Sequence, residues 1–575
     1  MTLDSTRRRF LQSSAVVGGV GLLAACGQKS SDEQAKDAAD KNKAAADEAS
    51  KLPGTAWTRA DYDKVTDGGK ISYAISQLPD NWNYYQANGL LADLSTVLGP
   101  VWGNTLNIAE DGSNEINPDY VSSAELTSED PQIVTVKFNP KGVWEDGEPI
   151  VVDDLINQWK SSNGTNDKFE AASTTGWEQI KEIRQTDDEY TCEIEYDGKY
   201  ADWITLIYPD LPSKITKDPE EFNKGYVDDP LPSKGPYKVT KIDKSGQVIT
   251  LGRNDKWWGR QGKLETIVFP VVSQQQMPSA FANSELDIIS IADGDTLAQA
   301  KTRSDAAIQN ANGLTWTHVT INTTGGDGVL ADEKVREAIA RGINRDAVGQ
   351  AVVGPLEAPI QLVDNVVYMP GQDGYDDSYE LNGKKLEYDK DGAAKILEDA
   401  GWKLNGDVRE KDGKKLQLKI TVPADTKSNS DRASQVMKDL NSIGFKIELN
   451  TVPSDAYFDE YINPKNYDIV TFSWQGTAFP VPGATNLFYP VKSQQDYTGL
   501  DQDADLKEPV AGMLGELDAK KRIQDASEFS KIVLGGYAIV PFYATPTIFA
   551  VKKGLVNIGA SQFESVDWTQ VGLTS

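Results

Sequence analysis

The hydrophobic pattern changes period twice between Leu416 and Leu449, and no other stretch of the chain restricts its fold as much. Leu416, Leu418, Ile420 and Val422 alternate as in a strand; Ala433, Val436, Met437, Leu440 and Ile443 then recur at helical spacing, and Gly444 follows as a C-terminal stop. Phe445, Ile447 and Leu449 alternate again, separated by Lys446, Glu448 and Asn450. Strand, helix and strand in that order imply a parallel pair joined by a right-handed crossover. Upstream, Asp332 is placed to cap a helix carrying Val335, Ala338 and Ile339, and Asn344 a second one through Val348 and Val352. The run from Asp389 to Ala400 buries Ala393, Ile396, Leu397 and Ala400 and stops at Gly401. Ile133 to Phe138 and Gln247 to Leu251 alternate as strands, so the fold class is mixed α/β with parallel sheets.

The N-terminus obeys different physics. Arg7-Arg8-Arg9 precedes a mostly small and apolar run, Ala15 to Ala25, which is too short to span a bilayer and reads as a signal peptide. Thr6 to Gln12 resembles a twin-arginine export motif with Gln12 where Lys is commoner, and three arginines also serve ordinary secretion, so both routes stay open. Leu23-Ala24-Ala25-Cys26 resembles the lipobox of bacterial lipoproteins, which implies acylation of Cys26 and attachment to a membrane through that lipid. From Gly27 to about Pro53 large apolar side chains are almost absent, so no core forms there. As a flexible coil this tether holds the folded part about 30 Å from the membrane.

Composition removes several function classes. The chain has Cys26 and Cys192 as its two cysteines, so acylation of Cys26 leaves no disulfide within the monomer. Alternation in Tyr190-Thr191-Cys192-Glu193-Ile194-Glu195-Tyr196 places Cys192 on the buried face of a strand. With one histidine, His318, zinc sites of Cys/His composition are excluded, no metal or cofactor is expected, and a serine hydrolase would have to use His318 without any G-x-S-x-G elbow. No enzyme is expected. A net charge of −29, more negative once the signal arginines are removed, argues against nucleic acid as a partner.

Roughly 520 residues after the tether exceed what one core organises, so two or more domains are expected. Read in order, their segments resemble one family: the large extracytoplasmic solute-binding proteins of ABC importers, of the oligopeptide, dipeptide and nickel-binding type. Val136-Lys137-Phe138 followed by Gly142 to Leu155 is similar to that family's signature, with Asp146-Gly147 as a turn and Asp153 or Asp154 as a helix cap. Gly235-Pro236-Tyr237-Lys238, Leu251 to Gly259, Ser284 to Ile288, Val335 to Ile339, Ala400-Gly401-Trp402 and Ile539 to Tyr543 continue the series. The resemblance implies a two-lobed, type II periplasmic-binding-protein-like α/β fold with an extra domain inserted in the first lobe. The boundaries it suggests are a signal peptide over 1–25, a tether over 26–65, a first lobe from 66–100, 205–316 and 541–575, an inserted domain over 101–204, and a second lobe over 317–540.

The function it implies is a lipid-anchored receptor that captures an oligopeptide or peptide-like solute by hinge closure and delivers it to ABC permease subunits. The ATPases are expected on other chains, since no G-x-x-x-x-G-K-[ST] is present. The alternative is a transport-inactive homologue acting as an envelope regulatory lipoprotein. A monomer is expected. The implied ligand-binding residues are Trp474, Gln475, Gly476 and Thr477 on the cleft floor, Asn88 and Gly89 on the opposing wall, and Tyr543 at its edge. Peptide-binding members often carry Asp where Thr477 stands, and some oligopeptide binders carry Arg where Thr471 stands. A bulky neutral ligand, or a peptide held by its backbone, therefore suits this floor better than a short zwitterionic peptide. Trp82, Tyr84 and Tyr85 read as core before they read as a stacking surface, and His318 as structural on a strand from Thr317 to Asn322.

Overall fold

The computed structural model describes residues 52–574 apart from 187, 382, 383, 425, 455 and 490–496. The expected signal peptide, Cys26 and the tether as far as residue 51 lie outside the described residues.

The backbone of the molecule is a seven-stranded sheet. Six of its strands are β1 (Ile288–Ser290), β2 (Ala306–Ile321), β3 (Gln417–Pro423), β4 (Lys446–Val452), β5 (Ile469–Gln475) and β6 (Ile539–Lys552), in the spatial order β1-β6-β2-β5-β3-β4, while Gln361–Leu362 adds to the side of β6. β3 and β4 are parallel with Leu418 opposite Ile447, and α1 (Lys427–Asn441) crosses between them, as the periodicity requires. Gly444, at φ +99°, ends that crossover in the left-handed region that glycine enters without strain. Asp332, Asn344 and Asp389 each accept a hydrogen bond from a first-turn N–H of their helices.

Three large cores sit around this sheet. The largest runs from Leu314 to Ala544, with Phe563, and takes in Ile420, Val436, Leu440 and Ile447 of the β3-α1-β4 crossover. A second gathers Ile71, Leu94, Val101, Leu251, Ile267, Val551 and Trp568 beside a four-stranded sheet of Lys70–Ser72, Thr266–Pro270, Val248–Arg253 and Tyr237–Asp243. The third lies on an antiparallel sheet of Val121–Glu129, Gln132–Phe138, Thr191–Tyr196 and Ile180–Gln185. Cys192 is fully buried there, and burial pushes its thiol up to about 12, so it is a packed side chain without thiolate character. Two lobes and an inserted antiparallel domain result.

β2 and β6 run through both lobes. Ile548, Ala550 and Val551 of β6 pack with the first lobe, whereas Val540, Phe542 and Tyr543 belong to the core of the second. Their pairing slips between the Ala311 and Thr315 positions and again between Trp316 and His318. Gly313 lies in the first slip, where a Cβ would stand 1.7 Å from the Thr545 carbonyl oxygen.

Two expectations need correction. Residues 52–65 are not tether: Thr55 bridges to Ser561, Ala56 N–H donates to the Ala560 carbonyl, and Trp57 and Val65 are buried. The helix Val152–Ser162 has Val151 at its N-cap, and Asp154 satisfies that cap from inside the first turn by accepting from Val151 N–H at 3.1 Å. The same carboxylate accepts from Trp144 Nε1 at 3.1 Å and Ser213 N at 2.7 Å, which ties the signature turn to the next helix, while Asp153 pairs outward with Lys217.

Candidate ligand-binding site

β5 is a central strand whose last residues, Trp474 and Gln475, lie beyond its pairing with β3 but stay paired with β2, at the carboxyl edge where open α/β sheets place their ligands. Ile469, Val470, Thr471 and Phe472 are buried, and the strand then surfaces through Ser473 and Gln475, with Trp474 half-buried between them. Opposite pairs on β2 and β5 put Trp316, His318 and Thr320 beside Trp474, Phe472 and Val470. An aromatic stack follows from that register. Trp474 lies parallel to Tyr497 at 5.7 Å and to His318 at 5.8 Å, with Phe472 edge-on at 4.8 Å and Phe458 behind it. Each such pair adds about 1 kcal/mol beyond the area it buries.

Two polar atoms of this stack, and one on β6, lack partners. Among the described residues, Trp474 Nε1, His318 Nε2 and the Tyr543 hydroxyl are buried without a hydrogen bond, whereas buried polar groups are ordinarily paired. His318 keeps one contact, between Nδ1 and Thr320 Oγ1 at 3.1 Å. Its pKa falls to about 3, first because burial disfavours the charged ring and then because the Arg432 guanidinium repels it. The imidazole is therefore neutral across the physiological range.

The rest of the expected floor is held by the backbone. Gly476 N–H donates to the Leu314 carbonyl at 2.9 Å, Thr315 Oγ1 donates to Gln475 Oε1 at 2.6 Å, and Gln372 Nε2 donates to the Thr477 carbonyl at 2.9 Å. Thr477 Oγ1 donates to the Phe479 carbonyl at 2.8 Å, so its hydroxyl is engaged within its own turn. The floor from Trp474 to Thr477 carries no carboxylate.

Asn88 and Gly89 sit in a short 3-10 turn, Ala87–Gly89, after Gln86, whose side chain accepts from Asn88 N–H at 2.6 Å. Asn88 is exposed and Gly89 buried, with a Cβ at Gly89 falling 1.9 Å from the Asn83 carbonyl oxygen. This turn is pinned to the inserted domain: Gln86 Nε2 donates to Glu170 and Ala87 N–H to the Glu170 carbonyl. Among the described residues no hydrogen bond, ion pair or ring contact joins Asn88 or Gly89 to Trp474 through Thr477. Tyr543, expected at the edge of the cleft, is fully enclosed, because Gln361–Leu362 pairs alongside it on β6. Trp82 is buried, and Tyr84 and Tyr85 pack against the first-lobe core, Tyr85 donating to Asp210.

Sequence reasoning missed Arg432, Tyr497 and the contact between the inserted domain and the second lobe. There, Asp202 pairs with Arg522, Ala201 N–H donates to the Leu514 carbonyl at 2.7 Å, and Thr175 Oγ1 donates to Asn486 Oδ1 at 3.1 Å. Among the described residues no helix is long and apolar enough to cross a membrane, and no group of three or more His, Cys, Asp or Glu side chains is set to hold a metal. Cavities of about 540 and 550 Å³ open around Trp57 to Lys64 and around Asp228 to Ser245, and neither is lined by Trp474.

Comparison with known proteins agrees with this architecture. The model of the family described as bacterial extracellular solute-binding proteins, family 5 middle region, matches residues 115–496. The oligopeptide-binding protein OppA of Mycobacterium tuberculosis is 31% identical over 512 residues, covering 88% of this chain and 85% of that protein. The periplasmic EDTA-binding protein EppA superposes with a TM-score of 0.82 at 24% identity, over 92% of this chain and 99% of its own. AppA of Bacillus subtilis, solved in complex with a nonapeptide, superposes with a TM-score of 0.74 at 17% identity, over 89% of this chain and 100% of its own. Both structures share the fold.

Proposed function

Because the chain belongs to the bacterial extracellular solute-binding proteins, family 5, we propose that it is the receptor of an ABC importer for an oligopeptide or peptide-like solute. The observation that carries this reading is the stack around Trp474, at the carboxyl edge of a sheet whose strands β2 and β6 pass through both lobes. Stacked rings present an apolar platform, and the unpartnered Trp474 Nε1 offers a hydrogen bond that a bound solute would complete. Bending of β2 and β6 near Gly313 would swing the second lobe over that solute, so binding energy goes into the closed form that a permease recognises. Binding without chemical change is the role, and Trp474, Gln475, Gly476, Thr477, Asn88 and Gly89 form the proposed cleft, with Tyr543 enclosed on the neighbouring strand β6.

The segment boundaries given above are proposed with it, except that the tether ends near residue 51 and the second-lobe part of β6 runs on to Ala544; the separate cores support the division so adjusted. Membrane attachment through a lipid on Cys26, after export by the twin-arginine or the general route, rests on the N-terminal sequence. Cys26→Ser is expected to move the protein from the membrane to the soluble fraction, and an unchanged distribution would refute the anchor.

Mass spectrometry of what co-purifies with the mature protein tests the reading, followed by calorimetry with the compound found. Trp474→Ala is expected to keep the fold, to lower the ligand-free melt through its lost ring contacts, and to abolish the further rise that ligand gives wild type. An undiminished shift in the variant would remove Trp474 from the cleft.

A further inference from the structure

The first slip in the pairing of β2 with β6 sets Asn312, Gly313 and Leu314 against one residue of β6, Pro546, which has no N–H to give. Backbone groups released from a ladder inside a protein need other partners. Each of the three residues finds one. The Leu314 carbonyl accepts from Gly476 N–H at 2.9 Å, the Gly313 carbonyl accepts from Gln562 Nε2 at 3.4 Å, and Asn312 N–H donates to the Pro53 carbonyl at 3.0 Å. Asn312 Nδ2 adds a bond to the same strip of chain, donating to the Leu52 carbonyl at 3.1 Å from 260 residues away in the sequence. The point about which the lobes are proposed to bend is thus completed by the first residues of the folded part.

That strip is fastened to the C-terminal segment of the first lobe. Gln562 N–H donates to the Gly54 carbonyl at 2.7 Å, Ala56 N–H to the Ala560 carbonyl at 2.9 Å, and Asn557 N–H to the Thr58 carbonyl at 2.8 Å. Trp57 is the single buried side chain between residues 52 and 60, so one ring holds what hydrogen bonds align. Gln562 is the junction. Gly54 holds its backbone, while its buried Nε2 donates to Gly313 and, at 2.7 Å, to the carbonyl of Pro370, the neighbour of Met369 in the second-lobe core. Phe563 follows it into that core. Beside β2 and β6, a third piece of chain therefore reaches from the first lobe to the second, and its place depends on residues 52–58.

We propose that residues 52–58 are a strap over the hinge, which holds the slipped stretch of β2 and the Gln562 bridge in register and so sets the rest position from which the second lobe closes. The tether enters the fold at this strap, next to the bending point. With the strap detached, Asn312 N–H loses its partner and Gln562 its backbone hold. More arrangements of the lobes then become accessible, and closing on a solute costs more conformational entropy. The consequence for binding rests on the receptor reading, whereas the strap itself is tested without a solute.

The test is hydrogen exchange, read by mass spectrometry on the whole ligand-stripped protein. Trp57→Ala removes the one buried side chain of the strap. Gly54→Val pries it off at the other end, since a Cβ there stands 2.7 Å from the Glu110 carbonyl oxygen, and either variant carries the test should the other not fold. Exchange in the stretch 308–316 is expected to speed up at least tenfold in both, with β3, α1 and β4 unchanged. Retention of peptides from a pancreatic digest of casein is expected to fall at least threefold in the same variants. Unaltered exchange over 308–316, or a rise shared equally by β3, α1 and β4, overturns the strap and leaves the receptor reading standing. Faster exchange at the hinge with retention at the wild-type level overturns the claim that the strap sets the closing motion. A wild-type protein that retains nothing from the digest counts against the receptor reading, and the exchange result then decides the strap by itself.

Discussion

His318 is the single histidine of the chain, and its environment turns it into a measurable probe of the second lobe. Its pKa in the folded protein, about 3, lies below the ordinary 6.5, so below pH 6.5 the unfolded chain binds a proton that the folded chain refuses. The stability associated with the neutral ring is whole above pH 6.5 and is lost as the pH falls toward 3, at about 1.4 kcal/mol per unit. Replacing it by His318→Gln, neutral throughout, removes that dependence. Urea unfolding is expected to show the stability of wild type relative to the variant dropping by about 2 kcal/mol from pH 7 to pH 5. A difference that does not change with pH would mean that the ring is solvated. The sequence marked His318 as a structural strand residue, and its strand and its burial agree with that. It said nothing of Arg432, because a charged residue between Asp431 and Ala433 on an amphipathic helix reads as solvated surface, and its partner Thr471 lies on a strand beyond the next crossover. The enclosure of Tyr543 was not legible for a related reason: the two-residue strand that covers it is too short to leave a periodic signal.

Elements were legible where one face meets one core. The β3-α1-β4 crossover and the strand of Cys192 follow their hydrophobic periods, and the caps at Asp332, Asn344 and Asp389 follow from short polar side chains ahead of apolar runs. The docking of residues 52–65 was not legible, since Trp57 is a lone anchor in a polar stretch and its partners near Ala560 lie at the other end of the chain. β2 and β6 are long because they serve two cores, and at Gly313 there is no room for a side chain between them. A methyl group there meets the Thr545 carbonyl, so Gly313→Ala must push the strands apart. We expect it to destabilise the protein by about 3 kcal/mol in a chemical denaturation series. A loss below about 0.5 kcal/mol would show that the crossing strands absorb the shift without strain.

At the scale of the molecule, the inserted domain meets the second lobe through Asp202 and Arg522, with side chains 4% and 18% exposed. A contact between separately cored bodies favours the arrangement in which it forms, and Asp202→Asn keeps its shape while removing the charge. Ligand affinity measured by calorimetry is expected to weaken about tenfold, or 1.4 kcal/mol, with little change in the ligand-free melt. Equal affinity would place that pair outside the closing motion. The whole account depends on two α/β lobes shutting around a solute that leaves unchanged, and small-angle X-ray scattering of the stripped protein before and after adding back its eluted ligand tests this most directly. The prediction is a smaller radius of gyration with the ligand recovered intact by mass spectrometry. An identical scattering curve, or a ligand recovered as cleavage products, would contradict it.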